Sequence, residues 1–307
     1  MIELDSAEKF ISAYEKIHKQ KVFRIPYTSK VGERKTILMC KKNNKWISLP
    51  YMSVGVIENK ITDKRSAPFQ LFESEEGNFI STGRKPWEVR DTVAHSQYIY
   101  SDKVITLLDI KNEENVFNLF HSDIRRKIRK SIKEGVVVEY GTSKKFVKLF
   151  HKAYSNRMKE IGVAVISKKE INRRINAGLT TIFIAKKDNK VIGTATLNDM
   201  LQGCYENEFF ATLSSFNKYY TSYLLHYTMI CFAKENNATT YSFGRSTRNG
   251  GVHTYKRHWK AKDYNLFWSY SEKRKNIRDN TFLIKIWNKL PQFIKNILGG
   301  IIARKVY

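Results

Sequence analysis

Between residues 181 and 210 the chain carries three strand-like runs in succession, at 181–186, 191–198 and 203–210. Asp188-Asn189 and Leu201-Gln202 separate them, and both pairs suit tight turns. Three apolar-rich runs joined this closely are predicted to pair antiparallel. Upstream lie a basic helix-like stretch at 122–134, a strand-like run at 136–140, and helical spacing over 143–161 and 168–177. Downstream come an apolar helix at 219–235, a strand at 240–243, a glycine-bearing loop at 244–251, a basic segment at 253–260 and a strand at 264–270. The order is therefore β, α, α, β, β, β, α, β, α, β. Antiparallel strands framed by helices of this kind make an α+β fold.

The first 110 residues read as a second α+β region. Phe10, Ile11, Tyr14 and Ile17 recur at helical spacing over 6–18. Short strand-like runs follow at 22–25, 36–40, 46–49, 88–93 and 104–109, with a polar, irregular stretch at 60–87. At roughly 150 residues per domain, a chain of 307 residues accommodates two. Hydrophobic residues are 42% of the chain, enough to build two cores and to exclude disorder as the default.

Charge narrows the partners. Lys and Arg number 55 against 29 Asp and Glu, a net +26. Such an excess attracts polyanions: RNA, anionic lipid headgroups, polyprenyl-phosphate sugars or nucleotide cofactors. The plainer reading is solvated lysine faces. Cys40, Cys204 and Cys231 are far apart in sequence and form no CxxC, which argues against a disulfide framework or a zinc site and fits a reducing compartment. The first residues are acidic, and no run approaches the ~18 uncharged apolar residues of a membrane span. The expected location is the cytoplasm, with contact at the membrane surface left open.

The stretch Tyr241-Ser242-Phe243-Gly244-Arg245-Ser246, followed by Gly250-Gly251, Tyr255-Lys256, Trp259 and Asn265-Leu266, resembles the signature of FemAB-like proteins of the GNAT superfamily. Gly135 after the basic helix, Arg157 ahead of Ile161-Gly162, and Leu49-Pro50 also match positions of that pattern. The element order above is likewise similar to a GNAT acyltransferase core. The resemblance implies two tandem GNAT-like halves, the second complete and the first divergent. That places an N-terminal domain at 1–112, a FemAB-like domain at 113–272 and a helical tail at 273–307. It implies transfer of an acyl or aminoacyl group to an amine of a cell-envelope polysaccharide or lipid-linked precursor. The donor would be an acyl-CoA or an aminoacyl-tRNA, the acceptor a lipid-linked or nucleotide-linked sugar, and no metal would be needed. Three departures stand out. Lys260 follows Trp259 where the family often has glycine, and Gly162-Val163-Ala164 replaces its Gly-Thr-Pro. Ser214-Ser215-Phe216-Asn217-Lys218 holds no glycine, whereas CoA-dependent relatives use a glycine turn there to grip the pyrophosphate.

Acyl transfer to an amine requires loss of a proton from the amine, stabilisation of an oxyanion and alignment of both substrates. No Ser-His-Asp or Cys-His arrangement is evident, so direct attack by the acceptor is expected. Lys256 follows an aromatic residue and a glycine loop, and the resemblance puts it at the donor site, where it could neutralise a phosphate or an oxyanion. Arg245 and Ser246 could bind an anion, with Gly250, Gly251, Tyr255, Trp259 and Arg157 completing the binding set. Glu206 and Glu208 are two apart in a strand and so share a face, which makes either a candidate general base; a solvated strand face is the plainer reading. His253 is a further candidate base. Six basic residues crowd the 122–134 helix, with Ile124, Ile128 and Ile132 expected inward and Ser122 as its cap. The tail at 279–304 repeats apolar residues, Trp287 among them, at helical spacing and could dock on the body or lie on an anionic membrane. The competing class is a non-catalytic basic protein that binds RNA or membrane on a degenerate GNAT scaffold.

Overall fold

The structure, a computed structural model, describes residues 2–28, 34–42, 44–49, 57–59, 86–92, 94–112, 114–163, 165–200, 203–273 and Pro291. The expected tail helix and the irregular stretch at 60–85 lie outside the described residues. In chain order the elements are α1 Ile2–His18, β1 Val22–Thr28, β2 Arg34–Lys42, β3 Lys45–Ser48, β4 Ile57–Asn59, β5 Trp87–Asp91 and β6 Tyr98–Asp109. Then follow α2 Ser122–Lys133, β7 Val137–Gly141, α3 Lys144–Glu160, α4 Lys168–Asn176, β8 Thr180–Lys187, β9 Lys190–Asp199 and β10 Cys204–Thr212. The last are α5 Thr221–Glu235, β11 Thr240–Thr247, α6 Gly251–Arg257 and β12 Lys262–Tyr270. The chain is α+β, as expected.

Two compact units share these elements. Unit 1 contains Met1–Glu113, Asp199–Glu206 and Asn236–Arg274; unit 2 contains Glu114–Asn198 and Asn207–Glu235. The units interleave along the chain, whereas the expected domains follow one another in sequence.

Unit 1 orders its strands β1-β2-β3-β5-β12-β6-β11, with β4 pairing β2. Along this order the described pairings are antiparallel except β3 with β5, and the Cys204–Glu206 part of β10 adds a second parallel pairing on β11. The helical stripe of α1 lands as its spacing requires: Phe10, Ile11 and Tyr14 pack with Leu38, Cys40, Leu49, Met200 and Cys204. The two cysteines in that cluster are free thiols.

In unit 2, β7 pairs antiparallel with β8, and β8 with β9. Asp188 and Asn189 both adopt positive φ in the β8–β9 turn, the geometry a two-residue hairpin loop favours. Helix α3 buries Val147, Phe150, Tyr154 and Met158 against Ile182 and Ile184 of β8. Gly193 on β9 allows α5 to sit close, since a Cβ there would stand 3.0 Å from both Leu225 and Thr221 side-chain carbons.

Helix α2 departs from expectation at both ends. His121 is its N-cap and Ser122 lies inside the helix, with no side-chain cap bond. Ile124 and Ile128 are buried, worth about 1.5–3 kcal/mol each, but Ile132 is 54% exposed. The C-terminus explains the difference. Gly135 at φ +77 closes a Schellman turn, in which Val136 N–H donates to Ser131 C=O and Gly135 N–H to Ile132 C=O. The inward place in the last turn goes to Ser131.

Candidate active site

The signature stretch folds around a β-bulge in unit 1. Strand β11 does not end at Phe243 as its apolar run suggested; it continues to Thr247. Its register with β6 slips by one residue between Ser242 and Arg245, where Gly244 takes φ +69. A glycine in the left-handed region is what a bulge of this type needs. The bulge disrupts the ladder locally, and the carbonyls of Gly244 and Arg245 are taken up by a side chain. Lys256 Nζ donates to the Gly244 oxygen at 2.9 Å and to the Arg245 oxygen at 3.1 Å.

Lys256 is only 7% exposed. Burial lowers its pKa from 10.5 to about 8; Glu206 and Asp263 oppose that shift and Arg245 adds to it. At neutral pH the ammonium is therefore retained in a largely dry environment, where its field on a nearby anion is strong. Helix α6, which carries it, begins at the Gly250 cap. A Cβ on Gly250 would come within 3.2 Å of the Thr247 carbonyl, while one on Gly251 would meet nothing.

Glu206 reaches the same bulge through Ser242. The Ser242 hydroxyl donates to Glu206 Oε2 at 2.8 Å and accepts from Gly244 N–H at 3.1 Å. Parallel pairing of β10 with β11 covers Cys204↔Thr240, Tyr205↔Tyr241 and Glu206↔Ser242. Glu206 is therefore buried at the third rung, in a polar chain that runs from its carboxylate through Ser242 to the bulge that Lys256 holds.

The other expected residues fall into three groups. Arg245 is half-buried, Ser246 is buried with a hydroxyl that makes no hydrogen bond among the described residues, and Tyr255 is half-buried. Trp259 is wholly buried, packed on Phe243 at 5.7 Å between ring centroids and near Tyr255 at 6.4 Å, which makes it a core support under α6. Glu208 and Arg157 belong to unit 2. Glu208 accepts from Arg174, a buried guanidinium on α4, and from Asn198 Nδ2 at 2.7 Å. Arg157 sits in the last turn of α3 and pairs with Glu160 at 2.6 Å.

Sequence reasoning quoted Ser242 and Gly244 within the signature but gave them no role at the site, and it passed over Asp263 and Thr106. Gly244 carried a readable signal, because an isolated glycine in a strand pattern suggests a bulge. His253, a candidate base, has both ring nitrogens engaged. Nδ1 accepts from Asn249 N–H at 2.9 Å, and Nε2 bonds Asp263 Oδ2 at 2.8 Å. Among the described residues no three His, Cys, Asp or Glu side chains cluster to hold a metal ion.

Element order, the short parallel pairing and the bulge followed by a lysine-bearing helix make up a fold like that of FemX. The solved structures agree. The chain is similar to FemX, with a TM-score of 0.58 and 14% identity over 85% of this chain and 90% of that one. It is similar to the C-terminal domain of a putative lysylphosphatidylglycerol synthetase from Agrobacterium fabrum, with a TM-score of 0.54 and 9% identity over 91% of this chain and 93% of that one. The L-PGS structure from Bacillus licheniformis gives a TM-score of 0.52 and 9% identity over 92% and 93%. At these identities it is the fold that is shared. No protein-family model matches the sequence, and no curated protein matches it.

Proposed function

We propose that the protein transfers an acyl or aminoacyl group to an amine of a cell-envelope precursor, with Lys256 as the charge that stabilises the reacting anion. The observation that carries this reading is the buried Lys256 ammonium, held on the bulge carbonyls with Arg245 and Glu206 in its field. In this scheme the acceptor amine attacks the donor carbonyl, and Glu206 takes the proton the amine loses. Lys256 and Arg245 oppose the charge on the tetrahedral oxygen. Collapse of the intermediate expels the donor's alkoxide or thiolate, which takes that proton back from Glu206 and leaves as the alcohol or thiol. Ser246, Gly250, Gly251 and Tyr255 bind the donor. Glu208, already engaged by Arg174, is the weaker candidate for the base.

The donor is an aminoacyl-tRNA or an acyl-CoA. The turn ahead of α5, Ser214–Tyr219, is a 3-10 helix without glycine, which favours the former. The putative lysylphosphatidylglycerol synthetase among the similar structures is named for an aminoacylated lipid, and this supports aminoacyl transfer in the envelope. The tandem-half domain plan and a cytoplasmic site of action belong to the same reading. No helix among the described residues is long and apolar enough to cross a membrane. Contact with an anionic membrane through α2 and residues 279–304 would bring a lipid-linked acceptor to the site.

The test supplies labelled aminoacyl-tRNA and labelled acetyl-CoA separately, with an extract of envelope precursors, and follows label into the lipid and nucleotide-sugar fractions. Transfer from one donor that falls about 100-fold or more in Lys256→Ala supports the reading. Transfer that is unchanged in Lys256→Ala, or absent from both donors, refutes it.

A further inference from the structure

Helix α6 has seven residues, too few to be stable by local interactions alone, yet it must hold Lys256 on two carbonyls of β11. The groups that fasten it come from three places. Asn249, at φ +58 in the turn before α6, aims its backbone N–H at His253 Nδ1. A backbone N–H can only donate, so Nδ1 carries the lone pair and Nε2 carries the proton. That Nε2–H donates to Asp263 Oδ2 on β12. Asp263 and Thr106 stand directly opposite each other in the β12–β6 ladder, and the Thr106 hydroxyl donates to the second oxygen, Oδ1, at 2.8 Å. Arg257 Nε approaches the carboxylate at 3.6 Å.

We propose that His253, Asp263 and Thr106 form a positioning clamp for Lys256: the clamp fixes α6 on β12 and β6, and so holds the lysine that α6 carries against the bulge. The proposal rests on Lys256 as the working residue of the site. His253 is excluded as the base, because its lone pair is spent on Asn249 and its proton on Asp263. It acts as a rigid strut in one tautomer. Lys256 lies three residues beyond it, close to one helical turn, so the strut and the ammonium move as one piece. The charged and titratable groups around the ammonium come from three strands: Glu206 from β10, Arg245 from β11 and Asp263 from β12. Removing the Asp263 charge leaves Glu206 as the carboxylate that favours the protonated form, beside the two bulge carbonyls and against burial and Arg245.

The test reads Lys256 itself, through the pH titration of its side-chain carbon next to Nζ in full-length protein with 13C-labelled lysine; the Lys256→Met spectrum assigns the signal. In the native chain the midpoint should lie near 8. Asp263→Asn should lower it by about half a unit or more, because a nearby opposite charge is what favours the charged form. His253→Phe should broaden or displace the Lys256 signal, and His253→Gln, which retains a donor for Asp263, should restore it in part. Thr106→Val, the mildest change, leaves the Asp263 charge in place but frees the carboxylate from β6, so it should broaden or displace the Lys256 signal, and it serves as the readout if the others fail to fold. A Lys256 midpoint and line shape unchanged in folded Asp263→Asn, or in folded Thr106→Val, overturns the clamp. The titration does not depend on any donor or acceptor. If the shifts appear while Lys256→Ala still transfers label, the functional reading falls and the clamp stands.

Discussion

Ser242 donates its hydroxyl hydrogen to the carboxylate of Glu206 at 2.8 Å, and this bond joins the proposed base to the bulge that Lys256 holds. The same oxygen accepts from Gly244 N–H, so one buried hydroxyl satisfies two groups. Ser242→Ala should remove one donor from the Glu206 carboxylate and the Ser242 acceptor from the Gly244 N–H. The expected loss is about 1–3 kcal/mol in urea unfolding, with a fall in transfer. An unaltered unfolding midpoint would show that the bond contributes nothing.

Lys256 should make stability depend on pH in a defined window. Its folded pKa, about 8, lies below the ordinary 10.5, so between those values the unfolded chain binds a proton that the folded chain does not. Stability contributed through this group must therefore rise with pH from about 8 to about 10.5. The full difference is on the order of 3 kcal/mol. Comparison of native protein with Lys256→Met at several pH values isolates it from other titrating groups. The native chain should gain on the variant across that window, and a flat difference would contradict the buried ammonium. Transfer should run in the opposite sense, falling as pH rises through about 8.

Gly244→Ala tests the bulge. At φ +69 an alanine is strained, by about 1 kcal/mol or more. Relief of that strain would realign the Gly244 and Arg245 carbonyls that Lys256 occupies. Both thermal stability and transfer should drop, and the substrate-binding constant should change less than the rate. A variant as stable and as active as the native chain would mean that the left-handed glycine has no role.

Recruitment to an anionic surface is checked by sedimentation with vesicles that contain or lack anionic lipid, at low and high salt. Helix α2 has four lysines or arginines at Arg126, Arg129, Lys130 and Lys133 whose side chains are exposed. Each basic residue near such a surface is worth about 1 kcal/mol at modest salt. Binding should require anionic lipid, weaken with salt, and decrease on truncation after residue 278. If the native and truncated chains both remain in the supernatant, the membrane contact is excluded.

Much of the fold was legible because it is written in short-range patterns. The stripe of Phe10, Ile11 and Tyr14, the pair Ile124 and Ile128, and the Asp188-Asn189 turn all appear where spacing and turn chemistry put them. Those features depend on neighbours within about one helical turn or one strand pleat. Lys256 and Arg245 were also singled out, through a short stretch with a recognisable residue pattern. Ile132 was misplaced because its neighbours carry a helical period right up to the point where Gly135 turns the chain.

The arrangement of the site was decided by tertiary structure. Asp263 meets Thr106 across a separation of 157 residues, and Ser242 meets Glu206 across 36. No local periodicity encodes which strand will lie beside which, since register follows from how whole faces bury against one another. The same holds for Glu206 and Glu208. Both share one strand and one side-chain period, yet the serine of β11 engages the first and the arginine of α4 the second. Sequence alone determined the kinds of element, most of their order and the short pattern that singled out Lys256 and Arg245. Only long-range packing determined that Lys256 is buried, what it bonds, and which carboxylates act on its charge, because those properties belong to the strands and helix that surround it.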